Sequence, residues 1–397
     1  MGCTSTKACD IATPLVQLRS PASQRGQALG TPSDFHRDFV LGRKLGAGAF
    51  GVVYSAQRTC GSKDVAVKVV DLRVGGAAGH RRGPIDHKRL RSIEREIATV
   101  TLLPWSANIT EVHKFYLGDG LAYIVMERCS ATLLSSLEEM RILSEATLKP
   151  IFEEMLSAIA VCHAAGVVHR DVKCENFLVS RRPDGARRVK LSDFGLARAI
   201  SAADAEELAG VCGTPPYMSP EMLLGQRYGA KVDIWAMGVI VYVLLFGAWP
   251  HMPAAPTSAT VKLAIREGIP APSFRSQPGL MEVSEDSATW VRALLCREPC
   301  RRLAAEQALA ADSFRRRWPA TRPLNDTLRA AVRSGAFGAV GEAGEVKANL
   351  DEALCRMNAQ YHGISEISTD TDGAECSASS SSTPRVGTPP RGTVHGD

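Results

Sequence analysis

No apolar run in this chain is long enough to cross a membrane as a helix. The longest, Ile234 to Trp249, covers 16 residues, whereas a span needs about 20. Asp233 precedes it and Gly247-Ala248-Trp249-Pro250 closes it, so a buried core helix is the expectation. No charged leader and apolar h-region open the sequence, and the eleven Cys are scattered without a CxxC pair. A secreted disulfide scaffold is therefore disfavoured, and reduced thiols in the cytoplasm are expected. Charge of one sign is also scarce: 47 Lys and Arg face 42 Asp and Glu. With no like-charge block to line a groove, no nucleic-acid partner is expected. There is no internal repeat. What the chain does have is apolar material, 45% over 397 residues, enough for a large core and more than one average domain.

Composition divides the sequence into three. Residues 1–38 are polar and punctuated by Thr13-Pro14, Ser20-Pro21 and Thr31-Pro32, which reads as a flexible arm. Residues 39–318 hold the core: strand-like alternation from Phe39 to about Glu127, then helical patterns to Trp318. Residues 319–397 read as a mostly disordered tail, with weak helical character from Leu350 to Met357 and a Ser/Thr-rich stretch at Ser379 to Thr383.

Leu45-Gly46-Ala47-Gly48-Ala49-Phe50-Gly51-Val52-Val53 carries G-x-G-x-x-G-x-V, glycines that let backbone lie close to phosphates. A dinucleotide-binding turn is the rival reading. No helical pattern follows Gly51, however; Val52 to Ala56 continues as a strand, so a glycine-rich hairpin is expected. Lys68 ends the apolar strand Val65-Ala66-Val67-Lys68 and needs a phosphate or a carboxylate partner; a snorkelling lysine is the bland alternative. Glu96 is preferred over Glu94, because Ile93, Ile97 and Val100 then share its inward face.

Further along, His169-Arg170-Asp171-Val172-Lys173-Cys174-Glu175-Asn176 is followed by Asp193-Phe194-Gly195. The first motif supplies a base, a phosphate ligand and a metal ligand; the second supplies another metal ligand. Either could arise by chance, but both in this order point to phosphoryl transfer.

From Phe39 to Trp318 the chain resembles the eukaryotic protein kinases. The resemblance implies an α+β bilobal fold, with a small antiparallel β-rich N-terminal lobe and a larger helical C-terminal lobe. It implies that Val53, Ala66, Met126 and Leu178 enclose adenine, and that backbone at Glu127 and Cys129 hydrogen-bonds the base. Asp171 would take or orient the acceptor hydroxyl proton, and Lys173 would neutralise the moving phosphoryl. Asn176 and Asp193 would hold Mg2+ on ATP. Thr214 would shape the acceptor site, as in serine/threonine rather than tyrosine kinases. Glu221 would pair with Arg302, and Asp233 would anchor the catalytic loop. The 28-residue step from Lys68 to Glu96, with Gly75-Gly76 and Arg81-Arg82, departs from the family and reads as a surface loop.

Within that family, Glu175-Asn176-Phe177-Leu178, Leu244-Leu245-Phe246-Gly247 and Arg302 to Leu309 are most similar to calcium-dependent kinases of the calcium/calmodulin group. Those carry EF-hands; here the only candidate, Asp370-Thr371-Asp372-Gly373, lacks the ligand spacing of a calcium loop. Glu175 would contact a basic substrate residue, but Leu133 stands where a second acid is usual, so a weak basic preference is expected. Arg315-Arg316-Arg317-Trp318 suggests a calmodulin site or, more plainly, a solvated helix end. Met1-Gly2-Cys3-Thr4-Ser5-Thr6 fits myristoylation at Gly2 with palmitoylation at Cys3, hence a place on the cytoplasmic face of membranes. The family's usual phosphothreonine position falls on Gly210; Asp204, Glu206 and Glu207 are the expected partners of Arg170 instead. A catalytically silent nucleotide-binding scaffold and a small-molecule kinase are the other functional classes.

Overall fold

A computed structural model describes residues 29–48, 51–61, 64–74, 83–181, 184–201, 208–276, 280, 282–320, 323–333, 354 and 357–362. The N-terminal lobe starts with α1 (Pro32–Asp38). A five-stranded antiparallel sheet follows, from β1 (Phe39–Gly48), β2 (Gly51–Arg58), β3 (Asp64–Asp71), β4 (Val112–Gly118) and β5 (Leu121–Glu127). Its order is β1-β2-β3-β5-β4, and α2 (His87–Leu102) enters between β3 and β4. The sheet is apolar on both faces. One face meets α2 through Val70, Phe115 and Ile124 against Ile93 and Ile97. The other gathers Phe35 of α1 with Phe39, Leu41, Val67, Tyr116 and Tyr123.

The C-terminal lobe has a small three-stranded sheet: β6 (Ala131–Thr132), β8 (Phe177–Arg181) and β9 (Arg187–Leu191). A second pair joins β7 (Val167–Val168) to β10 (Arg198–Ala199). Around them lie α3 (Leu133–Glu138), α4 (Glu145–Ala164), α5 (Pro220–Leu223) and α6 (Lys231–Phe246). The helices α7 (Ser258–Glu267), α8 (Glu285–Leu294), α9 (Ala305–Ala310), α10 (Asp312–Arg315) and α11 (Asn325–Arg333) complete the lobe. The long apolar run forms α6, buried from Val232 to Phe246 and stopped at Gly247 by a left-handed φ of 70°. No described helix is long and apolar enough to cross a membrane.

The folded unit is larger than composition suggests. The arm expected over 1–38 gives way at Thr31, which caps α1: Thr31 and Asp34 each bond the other's backbone, and Pro32 occupies the first turn. That is a helix start, and Phe35 is fully buried. The tail expected over 319–397 likewise contributes α11, with Leu324, Leu328 and Ala331 buried in the C-terminal lobe core. Leu354 is buried against the N-terminal sheet. The Ser/Thr-rich end, Asp370 to Gly373, Gly75-Gly76 and Arg81-Arg82 lie outside the described residues.

Candidate active site

The glycine-rich segment is a hairpin, as the absence of a following helix implies. Gly46 pairs with Val53 and Gly48 with Gly51 across β1 and β2. A Cβ on Gly46 or Gly48 would meet nothing within 4 Å, so space lies above both. Gly51 differs: its φ is +155° and a Cβ would come 2.6 Å from the Val69 carbonyl, so close packing on β3 demands glycine there. Leu45 is exposed and Ala47 lies in β1; Ala49 and Phe50 fall outside the described residues. Below the hairpin, Val53 lies opposite Lys68 and Ala66 opposite Met126. Leu178, half-buried on β8, comes from the other lobe. The Glu127 side chain turns away, to Lys190 at 2.8 Å and the Glu111 N–H at 2.7 Å. Burial pushes the Cys129 thiol up to about 12.

Lys68 Nζ sits 2.8 Å from Glu96 Oε1 and 2.8 Å from Asp193 Oδ1. Glu94 is exposed. Burial alone would lower the lysine's pKa, but the two carboxylates hold it above its ordinary value. Burial raises Glu96, with Lys68 opposing, while the Lys68 charge keeps Asp193 below its usual range despite burial. Asp193 has φ +60° and Arg170 φ +65°, sparsely populated conformations that collect at active sites. Phe194 is buried, edge-on to His169 at 5.0 Å.

Asp233, at the start of α6, fixes the catalytic loop. Its carboxylate accepts the N–H groups of His169 and Arg170, each at 2.8 Å, and bonds His163 Nε2 at 2.9 Å. Burial opposes ionisation there, yet the His163 and His169 contacts hold the pKa below its ordinary value. The loop in turn presents Asp171. Thr214 Oγ1 donates to Asp171 Oδ1 at 2.9 Å, Lys173 Nζ donates to Thr214 Oγ1 at 3.1 Å, and Lys173 Nζ lies 2.9 Å from Asp171 Oδ2. Asn176 Nδ2 donates to the Asp171 carbonyl at 2.8 Å. Gly213 passes so close that a Cβ would be 2.6 Å from the Arg170 carbonyl, so only glycine fits before Thr214.

The segment after Thr214 is pinned by a buried fork. Arg302 donates to both oxygens of Glu221, at 2.7 and 3.0 Å, and to the Cys296 and Lys231 carbonyls, each at 2.8 Å. Glu175 is exposed beside the cleft, and Leu133 is buried as the first residue of α3.

Sequence reasoning missed what holds Arg170. Its Nε donates to the Leu196 carbonyl at 2.8 Å and its Nη1 to the Tyr228 hydroxyl at 3.2 Å. That hydroxyl donates to the Gly210 carbonyl at 2.9 Å. Asp204, Glu206 and Glu207 lie outside the described residues. No motif marks Tyr228; only its spacing before Asp233 places it near the loop. The calmodulin reading of Arg315 to Trp318 is corrected as well. Trp318 is 1% exposed and packs edge-on against Phe314 and Trp290 at 5.5 Å each. It is a core residue, not an anchor for a partner.

The oxygen set suits a hard divalent cation such as Mg2+. Asn176 uses its amide nitrogen on Asp171, and Asp193 uses Oδ1 on Lys68, so neither bond engages Asn176 Oδ1 or Asp193 Oδ2. No cluster of three or more His, Cys, Asp or Glu with metal-site geometry exists among the described residues.

Comparison with known proteins agrees with this geometry. The protein kinase domain family matches residues 39–314. The chain belongs to the protein kinase family. Calcium-dependent protein kinase 16 of Oryza sativa subsp. japonica is 33% identical over 272 residues, 68% of this chain and 46% of that protein. CBL-interacting protein kinase 4 of the same plant is 35% identical over 275 residues, 66% of this chain and 57% of that protein. Serine/threonine-protein kinase kin-29 of Caenorhabditis elegans is 31% identical over 275 residues, 68% of this chain and 30% of that protein. The chain thus spans about half, or less, of the length of these relatives.

Proposed function

We propose that this protein is a serine/threonine kinase that moves the γ-phosphoryl of Mg-ATP onto protein Ser or Thr hydroxyls. The observation that carries this reading is the Asp171–Thr214–Lys173 triangle. It fixes a carboxylate and an ammonium at one point, from the segment that leads into Glu221. Val53, Ala66, Met126 and Leu178 would surround adenine, and the open side of Gly46 and Gly48 would admit the phosphates. Lys68, held by Glu96, would meet the α- and β-phosphates. Mg2+, held by Asn176 and Asp193, would supply charge neutralisation across the phosphates.

Asp171 orients the acceptor hydroxyl and receives its proton as the new O–P bond forms. The bond from the γ-phosphorus to the bridging oxygen breaks, ADP departs, and the proton later leaves Asp171 for solvent. Lys173 offsets negative charge on the moving group. Glu175, without an acid at Leu133, gives a weak preference for a basic residue before the acceptor. A peptide array with purified protein and Mg-ATP should show Ser/Thr labelling with that weak preference. Asp171→Asn should cut turnover by about 10²–10⁴ and leave nucleotide affinity intact, the scale for a lost catalytic base. Nucleotide binding without labelling of any peptide would support the silent scaffold instead.

The sequence at Gly2 and Cys3 supports a tethered kinase, since two acyl chains anchor stably where one is marginal. Gly2→Ala should move the protein from the membrane to the soluble fraction. Equal partitioning of the two forms would remove the tether, and with it the place on the cytoplasmic face.

A further inference from the structure

The sheet of the N-terminal lobe has a face that α2 does not cover, and α1 covers only part of it. β1 is also an edge strand, with outward N–H and C=O groups in need of partners. Leu354 and residues 357–362, helical where the structure describes them, meet that face and that edge. Leu354 is fully buried among the apolar residues of that face. One turn on, Asn358 Oδ1 accepts the Leu41 N–H at 3.2 Å and its Nδ2 donates to the Leu41 carbonyl at 3.0 Å. A side-chain amide here does what a neighbouring strand would do. His362 Nε2 meets the Phe39 carbonyl at 3.1 Å, two residues back along the same edge. Tyr361 stacks on His36 of α1, with ring centroids 5.3 Å apart and planes 11° from parallel, and its hydroxyl lies 3.3 Å from Ser33 Oγ. Leu354, Met357, Asn358, Tyr361 and His362 fall at helical spacing, so these contacts come from one stripe of the segment.

We propose that this segment is an in-cis latch on β1 that sets how firmly the glycine hairpin is held over the nucleotide. The strand it grips runs on, without a break in chain, into Gly46 and Gly48. Between grip and hairpin, the β1–β2 register shifts at Leu41/Lys44 and again at Lys44/Gly46. Irregular pairing there weakens the hold of β2 on this stretch and lets the strand bend. Among the described residues the grip has no ion pair to lock it: Leu354 and Met357 in the apolar face, the Asn358 amide pair, the His362 contact with the Phe39 carbonyl and the Tyr361 ring stack. Such contacts open more easily than the buried charge pairs of the cleft. The latch therefore gives the C-terminal region a route to nucleotide affinity that does not pass through the catalytic residues.

The test uses the full chain, amide hydrogen exchange across β1, and the affinity of a non-hydrolysable ATP analogue. Asn358→Leu keeps the side-chain bulk and removes both bonds to Leu41. It should speed exchange at Leu41 by about tenfold and weaken the analogue by about three- to tenfold, the scale of one or two lost hydrogen bonds. Asn358→Asp, which buries a carboxylate with one oxygen set against the Leu41 carbonyl, should match or exceed Asn358→Leu. Leu354→Asp, which ejects the segment by burying a charge, should match or exceed Asn358→Leu. Unchanged exchange in β1, or faster exchange with unchanged analogue affinity, would overturn the proposal. Neither readout needs phosphoryl transfer. A protein that labels no peptide yet shows these shifts would refute the proposed kinase activity and leave the latch standing.

Discussion

Around the catalytic loop, long-range hydrogen bonds end on buried charge. Asp233 grips two backbone N–H groups, Arg302 grips both oxygens of Glu221, and Lys68 spans Glu96 and Asp193. Where the C-terminal segment meets the outer face of the N-terminal sheet, the long-range bonds among the described residues involve no Asp, Glu, Lys or Arg side chain: Asn358 to Leu41, His362 to Phe39, Tyr361 to Ser33. The first arrangement is costly to assemble and costly to break singly, because a remaining charge is stranded. The second is cheap on both counts. One region is built to keep a fixed geometry and the other to let a segment come and go.

The largest expected effect comes from stranding a charge in the first region. Arg302 is 1% exposed, so Glu221→Ala leaves a guanidinium buried without its carboxylate. The loss should be about 3–5 kcal/mol of unfolding free energy, measured by urea denaturation. The double variant Glu221→Leu with Arg302→Met should recover much of it, since paired removal leaves no orphan charge. A cost below about 1 kcal/mol for Glu221→Ala would place this pair with the weak surface bridges.

The same contrast governs how much could be read in advance. The cleft was legible because phosphoryl transfer restricts residue types at short, fixed spacings: Asp171, Lys173 and Asn176 within one loop, then Asp193-Phe194-Gly195. Glu96 was legible from the inward stripe of Ile93, Ile97 and Val100. The outer face was not. Asn358 and Leu41 are 317 residues apart, and an asparagine that mimics a strand leaves no periodic trace. Thr31-Pro32 read as a break because proline punctuates both loops and helix starts; only the Asp34 carboxylate on the Thr31 backbone decides between them. Trp318 misled in the same way, since a basic run before a tryptophan looks alike whether the ring faces solvent or core.

A middle-sized effect should expose the second region to acid. Burial, with the nearby His362 charge, lowers His36 to about 4. The groups that face it are Tyr123 from β5 and Tyr361 and His362 from the C-terminal segment. Its Nδ1 has no hydrogen-bond partner, so a proton there would be buried unpaired. The folded value lies below the unfolded value of about 6.5. The unfolded chain therefore binds the extra proton first, and stability present above pH 6.5 is lost as pH falls towards 4. The loss should be on the order of 2–3 kcal/mol by pH 4. His36→Gln, which can still bond Tyr123, should flatten that part of the curve in urea titrations run at several pH values. A wild-type curve parallel to that of His36→Gln would show that His36 does not titrate in this range.

The smallest effect tests a neutral contact placed inside the charged region. A phosphothreonine opposite Arg170 is the common way to order this loop, but Gly210 has no hydroxyl to carry the phosphate. Tyr228 bridges the gap, taking the Arg170 N–H and passing its own hydrogen to the Gly210 carbonyl. Its backbone also exchanges both bonds with Leu208, at 3.1 and 2.9 Å, so the end of the loop is tied without phosphate. Phosphatase-treated protein should therefore be active on peptide. Tyr228→Phe removes the hydroxyl and keeps the buried ring. It should cost about 1 kcal/mol, a few-fold in kcat, with KM for ATP unchanged. Activity that vanished on phosphatase treatment and returned with phosphate on Ser201 would show that the phenol does not suffice. Wild-type turnover in Tyr228→Phe would assign the ordering of the loop to its backbone bonds alone.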